Sequence, residues 1–184
     1  MKKIAGRQAL AAVVCVMLLG GCASAVNSPV ASEPSTFTLS SSAMLDGGTL
    51  PVEFSCDGDS STPPIEWSGA PDGTLSYAVV MHHVPGAGDA HWYWVIYNLD
   101  ASVTSLAANE TVPGKLGGNS VNGQNVYAPP CSKGPGEKRY TLTVYALDAE
   151  PALADADVVS RDVLLAAIDG HVLGEAALTV GYSR

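Results

Sequence analysis

Basic residues are scarce in this sequence, where nine Lys and Arg stand against 18 Asp and Glu for a net charge of −9. Three of the nine, Lys2, Lys3 and Arg7, precede residue 22, whereas all the acidic residues follow it. From residue 22 onward six basic residues face 18 acidic ones, a net charge of −12. Nucleic acids and anionic lipid headgroups repel so acidic a chain. Nucleic acid is therefore not expected as a partner.

Long hydrophobic runs are also lacking. The uncharged, mostly apolar stretch from Gln8 to Gly21 is shorter than the about 20 residues that a membrane span needs, and no second stretch follows. A basic start before a short apolar run is typical of a secretory signal. Its ending, Leu19-Gly20-Gly21-Cys22, resembles a bacterial lipoprotein signal, in which residues 1–21 are removed and Cys22 is acylated. We expect a cell-envelope protein anchored to a membrane by lipid; an ordinary cleaved signal with an incidental cysteine is the alternative.

Cysteines are few, and none forms a CxxC pair, so the sequence gives no support for a zinc cluster. Cys15 leaves with the signal and Cys22 takes the lipid, which leaves Cys56 and Cys131. An even pair in an exported domain suggests a disulfide, which would close a loop of about 75 residues and stabilise the fold by ~4 kcal/mol. Two buried free thiols are the alternative.

The remaining chain divides into a tether and one domain. Residues 22–36 comprise the lipidated cysteine and a flexible segment rich in Ser, Ala and Pro. Residues 37–184 are long enough for a single domain with its own core, and they contain no internal repeat.

Short apolar or alternating runs separated by Gly/Pro turns predict a mainly β, antiparallel architecture. The predicted strands are Phe37–Ser41, Val52–Ser55, Leu75–His83, His91–Leu99, Tyr140–Leu147 and a last strand near the C terminus.

Two short helices are predicted near the C terminus. Ser160 can cap the first, whose apolar stripe ends at Asp169-Gly170. A second is expected from His171 to about Ala176.

Three of the four histidines flank a Gly/Pro loop, Val84–Ala90, between two predicted strands. Side chains alternate faces along a strand, so His83 shares a face with Met81 while His82 points the other way. On the second strand the same rule groups His91 with Tyr93, Val95 and Tyr97. We therefore expect His83 and His91 to converge at one rim of the sheet.

Two imidazoles at a strand rim can serve several purposes. A metal would need a third ligand, and no HxH, HExxH or suitably spaced carboxylate supplies one. Anion binding through N–H groups and a structural role with backbone carbonyls both stay open on the residues alone. Catalysis is not expected, because there is no GxSxG motif and no serine with an evident His/Asp partnership. A hydrolase with His91 as its base is the enzymatic alternative. No cofactor is expected.

Segments Pro63–Met81, His91–Leu99, Val126–Asp148 and Leu164–Arg184, in this order, resemble the phosphatidylethanolamine-binding protein family, whose bacterial branch is often called Raf kinase inhibitor-like. The resemblance covers residues 37–184. It implies an antiparallel β-sandwich with short C-terminal helices and a small pocket for an anion such as phosphate or a phospholipid headgroup.

The same resemblance assigns site residues. His91 and Tyr140 fall on the family's pocket positions, and Ala128-Pro129-Pro130-Cys131 corresponds to the pocket wall, so Pro130 is included. Two departures alter the pocket's charge: Met81 and His83 replace the two aspartates of the family's DPDAP turn, and Lys138 replaces a histidine. We therefore predict a ligand site of His83, His91, Tyr140, Lys138, Met81 and Pro130, suited to an anion and less suited to the amine of ethanolamine.

Two kinds of partner follow from this interpretation. The first is a small anion or phospholipid headgroup, bound by a protein held at the membrane through its lipid. The alternative is a protein partner that docks at the pocket rim as the target of an inhibitor module. A homodimer is left open.

Overall fold

The computed structural model describes residues 36–153 and 159–184, and eight strands account for most of their regular structure. The strands are β1 (Thr38–Ser40), β2 (Ile65–Ser68), β3 (Ser76–His83), β4 (His91–Asp100), β5 (Ser105–Leu106), β6 (Lys115–Leu116), β7 (Lys138–Leu147) and β8 (Val172–Tyr182). One α-helix, α1 (Arg161–Ile168), lies among the described residues. None of the described helices is long and apolar enough to cross a membrane. The predicted signal, the lipidation of Cys22 and the tether up to residue 35 lie outside the described residues.

The strands form two antiparallel sheets, which confirms the predicted sandwich. A three-stranded sheet has the order β1-β2-β5 and a five-stranded sheet the order β6-β4-β3-β7-β8. The main core fills the space between them, with Trp67 from the small sheet and Met81, Trp94 and Leu142 from the large one. A second apolar cluster covers the other face of the large sheet, where Leu164 and Ile168 of α1 pack.

Strand β3 is the centre of the large sheet, buried on both faces from Ser76 to Met81. This explains why its sequence reads as a continuous apolar run instead of an alternating one. One end of β3 meets the start of the domain, where the Phe37 and Tyr77 rings stack with centroids 6.4 Å apart. The other end carries His83.

The predicted faces of β4 are wrong beyond Tyr93. Met81 pairs with Trp94 but His82 pairs with Trp92, so Tyr93 is an extra residue in β4. Such a β-bulge reverses the alternation. Tyr93 and Trp94 consequently both contribute to the core between the sheets. Val95 and Tyr97, predicted to share a face with His91, instead join Trp92 on the face toward α1.

The first predicted helix is confirmed, because α1 begins after Ser160 and the Val163 N–H donates to the Ser160 hydroxyl at 3.2 Å. The predicted helix from His171 to Ala176 is wrong, since β8 begins at Val172 and pairs with β7 along its length. A Cβ at Gly174 would lie 2.9 Å from Pro71 Cγ, so the bare glycine lets the strand pass close to its neighbour.

The segment predicted as a strand at Val52–Ser55 is a single 3-10 turn, Val52–Phe54, whose last N–H donates to the Pro51 carbonyl oxygen at 3.1 Å. The turn buries Phe54 and leads directly to Cys56. Cys56 and Cys131 form a disulfide with their Cα atoms 5.3 Å apart, as predicted.

Candidate functional site

The two histidines converge as the sequence predicts. Strand β3 ends at His83, β4 begins at His91, and these two residues pair directly across the ladder. His82 pairs with Thr141 of β7, which brings the neighbouring Tyr140 beside His83, with ring centroids 5.5 Å apart. Three adjacent strands therefore deliver His91, His83 and Tyr140 to one end of the large sheet.

A cavity of about 330 Å³ opens at this end. It is lined by His83, Pro85, His91, Tyr93, Ser120, Val121, Pro129, Cys131, Lys133, Lys138 and Tyr140. Four of the six predicted site residues are in this set: His83, His91, Lys138 and Tyr140.

Met81 and Pro130 do not line the cavity. Met81 is on the same face as His83 but lies deeper along β3, where it is fully buried in the core between the sheets. Pro130 is buried and its carbonyl oxygen accepts the Cys56 N–H at 3.1 Å, while the preceding Pro129 faces the cavity. Of the predicted wall segment, Pro129 and Cys131 line the cavity, whereas Ala128 and Pro130 do not.

Sequence reasoning missed two chemically important lining residues, Tyr93 and Lys133. Tyr93 was grouped on the face of His91, and this alternation was a signal for a role beside it. Lys133 follows Cys131 by two residues in a Gly/Pro-rich loop. It is one of only six basic residues after the predicted signal, and that scarcity was the available clue.

His83 has a fixed orientation. Its Nδ1 lies 2.7 Å from the Arg139 carbonyl oxygen, which can only accept, so Nδ1 carries the hydrogen. The remaining ring nitrogen, Nε2, is left for a ligand or solvent. The backbone carbonyl thus sets both the tautomer and the position of the imidazole at the cavity.

The Tyr140 hydroxyl is the most unusual polar group of the cavity. The residue is fully buried, and its Oη has no hydrogen-bond partner among the described residues. Burial raises the pKa of the Tyr140 phenol, and the nearby Tyr93 hydroxyl raises it further. Tyr140 therefore stays protonated, and its hydroxyl has no hydrogen bond of ordinary geometry although the Tyr93 hydroxyl interacts with it. A buried donor without a partner costs roughly 1–3 kcal/mol, which a bound acceptor would offset.

The described lining residues include no Asp or Glu, although acidic residues outnumber basic ones twofold in the chain. Lys133, Lys138 and the two imidazoles supply only donors or donor-capable nitrogens. The lining itself carries only positive and neutral groups on an acidic molecule, and small anions are the ligands that such a lining attracts.

The serine of the cavity lining is held by backbone hydrogen bonds. Ser120 is its one lining serine, and the Ser120 hydroxyl donates to the Trp92 carbonyl oxygen at 3.0 Å while accepting the Trp92 N–H at 2.8 Å. Both bonds fix the start of β4 and occupy the hydroxyl. Among the described residues no three His, Cys, Asp or Glu side chains are grouped closely enough to hold a metal ion.

The cavity wall around Cys131 is bonded to the 3-10 turn and to β4. The Cys56–Cys131 disulfide joins it to the 3-10 turn, and the Tyr127 hydroxyl donates to the Phe54 carbonyl oxygen at 2.7 Å. The Ala128 N–H donates to the Tyr93 carbonyl oxygen at 2.8 Å and ties the wall to β4. These bonds tie the wall to the 3-10 turn and to β4.

A second hollow of about 400 Å³ lies beside β2 and β5, far from the histidines. Its lining combines small and aliphatic residues with the carboxylate of Glu66 and includes no basic residue or histidine. It has none of the donors that define the cavity at His83 and His91.

The domain is an antiparallel sandwich with a small cavity, lined by histidine and tyrosine among others, at the end of its large sheet. Residues 40–183 match the profile of the family described as phosphatidylethanolamine-binding protein. The chain belongs to this family.

Relatives and solved structures agree with this assignment. A UPF0098 protein of Methanothermobacter thermautotrophicus is 36% identical over 152 residues, which cover 79% of this chain and 98% of that protein. A Chlamydia trachomatis crystal structure described as a candidate phosphatidylethanolamine-binding protein homologue has a TM-score of 0.72 and 30% identity, covering 82% of this chain and 99% of that one. Escherichia coli YbcL, described as a member of the mammalian family, has a TM-score of 0.73 and 25% identity, covering 80% and 98%.

One further relative is named as a lipoprotein. Mycobacterium tuberculosis LppC, named as a candidate lipoprotein, is 33% identical over 121 residues, covering 64% of this chain and 57% of that protein.

Proposed function

We propose that this protein is a non-catalytic binding module that holds a small anion or phospho-headgroup in the cavity at His83 and His91. The observation that carries the proposal is the lining itself: two lysines, two imidazoles and a buried phenol without a partner, with no acidic residue among them. A phosphate oxygen accepts hydrogen bonds from the lysine ammonium groups, from a His91 N–H and from the Tyr140 hydroxyl, which would thereby gain a partner.

We further propose that the protein acts at a bacterial cell envelope, anchored by a lipid on Cys22. The short apolar run that ends in Gly20-Gly21-Cys22 supports this, as does the similarity to LppC. The disulfide is consistent with an oxidising compartment outside the cytoplasm.

Thermal unfolding of residues 22–184 with and without inorganic phosphate tests the proposed binding. At a phosphate concentration 100 times Kd, binding stabilises the folded state by about 2.7 kcal/mol, which raises Tm by roughly 5–10 °C for a domain of this size. His91→Ala removes the imidazole donor from the cavity and should abolish most of the rise. The control variant His171→Ala, which changes a histidine outside the cavity, should retain it. An unchanged Tm across phosphate, sulfate and phospho-headgroups would refute anion binding.

A second function, docking of a protein partner, is favoured by two exposed valines near the cavity mouth. Val84, which follows His83, is 62% exposed, and the lining residue Val121 is 60% exposed. If anions have no effect on Tm while a partner binds the wild-type protein and not a Val84→Asp/Val121→Asp variant, this alternative replaces the first. Turnover of ester substrates that is lost in His91→Asn would instead indicate an enzyme.

A further inference from the structure

The nitrogen-bearing side chains of the cavity come from three strands and one loop. The imidazoles come from β3 and β4, at His83 and His91. Of the two lysines, Lys138 begins β7 and Lys133 lies in the loop before it. Lys138 and Tyr140 are two residues apart on β7 and so share a face. A ligand in the cavity therefore meets two ammonium groups in addition to the imidazoles and Tyr140.

From this arrangement we infer that the cavity selects ligands carrying a phosphomonoester dianion and discriminates against phosphodiesters and zwitterionic headgroups. The inference rests on the proposed anion binding and names its ligand class. Lys133 and Lys138, the two ammonium groups of the lining, act as the specificity-determining residues.

Coulomb attraction scales with the product of the charges, so each lysine stabilises a dianion about twice as much as a monoanion. The same ammonium groups repel the ammonium of an ethanolamine headgroup. No described carboxylate lines the cavity to bind that ammonium or to reduce the positive charge of the lysines. The two lysines therefore favour a high negative charge and disfavour a positive group on the same ligand.

Two matched ligand pairs separate charge from shape. At about pH 8 a phosphomonoester, whose second pKa is about 6, is a dianion. Methyl phosphate and dimethyl phosphate then differ by one charge. Ethyl phosphate and phosphoethanolamine differ by one ammonium group. Isothermal titration calorimetry of residues 22–184 should show about tenfold tighter binding of methyl phosphate than of dimethyl phosphate, and about fivefold tighter binding of ethyl phosphate than of phosphoethanolamine.

The double variant Lys133→Met/Lys138→Met should reduce both preferences to about twofold or less, while Lys133→Arg/Lys138→Arg should retain them. Lys115→Met is the matched control, because Lys115 lies on β6 outside the cavity lining; its ligand preferences should equal those of the wild type. Equal Tm values without ligand establish that the variants fold.

Two further ligands identify the source of the phosphate. Glycerol 3-phosphate and short-chain phosphatidic acid both carry the dianion, and tighter binding of either supports the inference and shows whether the ligand is soluble or a lipid. Equal affinity of the wild type for methyl and dimethyl phosphate would overturn the dianion selectivity and leave anion binding intact. If no phosphate compound binds, the proposed function itself fails.

Discussion

Tyr127 is partly buried and Tyr140 fully buried, and their hydroxyls are in opposite hydrogen-bonding states. The Tyr127 hydroxyl donates to Phe54, whereas Tyr140 Oη has no partner among the described residues. We expect Tyr127→Phe to lower the free energy of unfolding by about 1 kcal/mol, and Tyr140→Phe to leave it unchanged or raise it by up to about 1 kcal/mol. Urea unfolding measures both. A loss in Tyr140→Phe as large as that in Tyr127→Phe would show that the Tyr140 hydroxyl is satisfied within the fold.

His82 gives a pH-dependent prediction. Burial lowers its pKa, and the positive charges of Arg161 and His83 add to the effect. The folded state therefore binds this proton less readily than the unfolded state, whose histidine has a pKa of about 6.5. As the pH falls below about 6.5 the unfolded state takes up a proton that folded His82 refuses, so stability decreases.

Urea unfolding at pH 8 and pH 5 tests this sign. The wild type should lose more stability between these two pH values than His82→Gln, which has no group to titrate at this position. Equal losses in the two proteins would contradict the assigned direction of the His82 shift.

Which residues reach the cavity depended on two kinds of information. Alternation along β3 and the short loop after it were enough to place His83 opposite His91 and to turn His82 away. Alternation does not show how deeply a side chain is buried. Met81 shares the face of His83, and only the packing between the two sheets shows that the Met81 side chain is covered. Lys133 was missed because a loop residue has no periodicity that reveals its direction.

The wall that carries Cys131 should depend on its disulfide. Replacing both cysteines by serine opens a loop of sequence separation 75 in the unfolded state, which costs about 4 kcal/mol of stability in the chain-entropy model. We also expect weaker phosphate binding, because Cys131 and Lys133 are close in sequence and both line the cavity. Urea unfolding with and without a reductant measures the stability change. The reductant should destabilise the wild type and leave the double variant unaffected; a wild type indifferent to reduction would contradict the prediction.

Strands with a strong apolar signal could be identified from sequence, and β3, β4 and β7 were placed to within two residues. The reversal of faces in β4 could not, because a bulge is defined by the partner strand: it exists only where His82 and Met81 pair with Trp92 and Trp94. The start of β8 was misassigned because His171–Ala176 has little local preference, and pairing with β7 determines its conformation.

The N-terminal anchor can be tested on the full chain expressed in a bacterium. The wild type should sediment with membranes and be released by detergent, whereas Cys22→Ser should appear in the soluble fraction, because a single lipid site would be lost. Cys15→Ser is the control, since this cysteine precedes the expected cleavage point and should not alter sedimentation. Membrane association of Cys22→Ser equal to that of the wild type would contradict lipid anchoring at this residue.

The start of the domain and the cavity lie at opposite ends of β3, which affects how the protein can be attached to a surface. Phe37, where the domain begins, stacks on Tyr77 near one end, and His83 lines the cavity at the other, roughly 20 Å from Tyr77 at the usual rise of a strand. Attachment through the N-terminal side therefore leaves the cavity mouth clear of the support. A biosensor surface coupled at that side should report the same phosphate affinity as free protein in solution, whereas coupling through Lys133 or Lys138 would block the mouth.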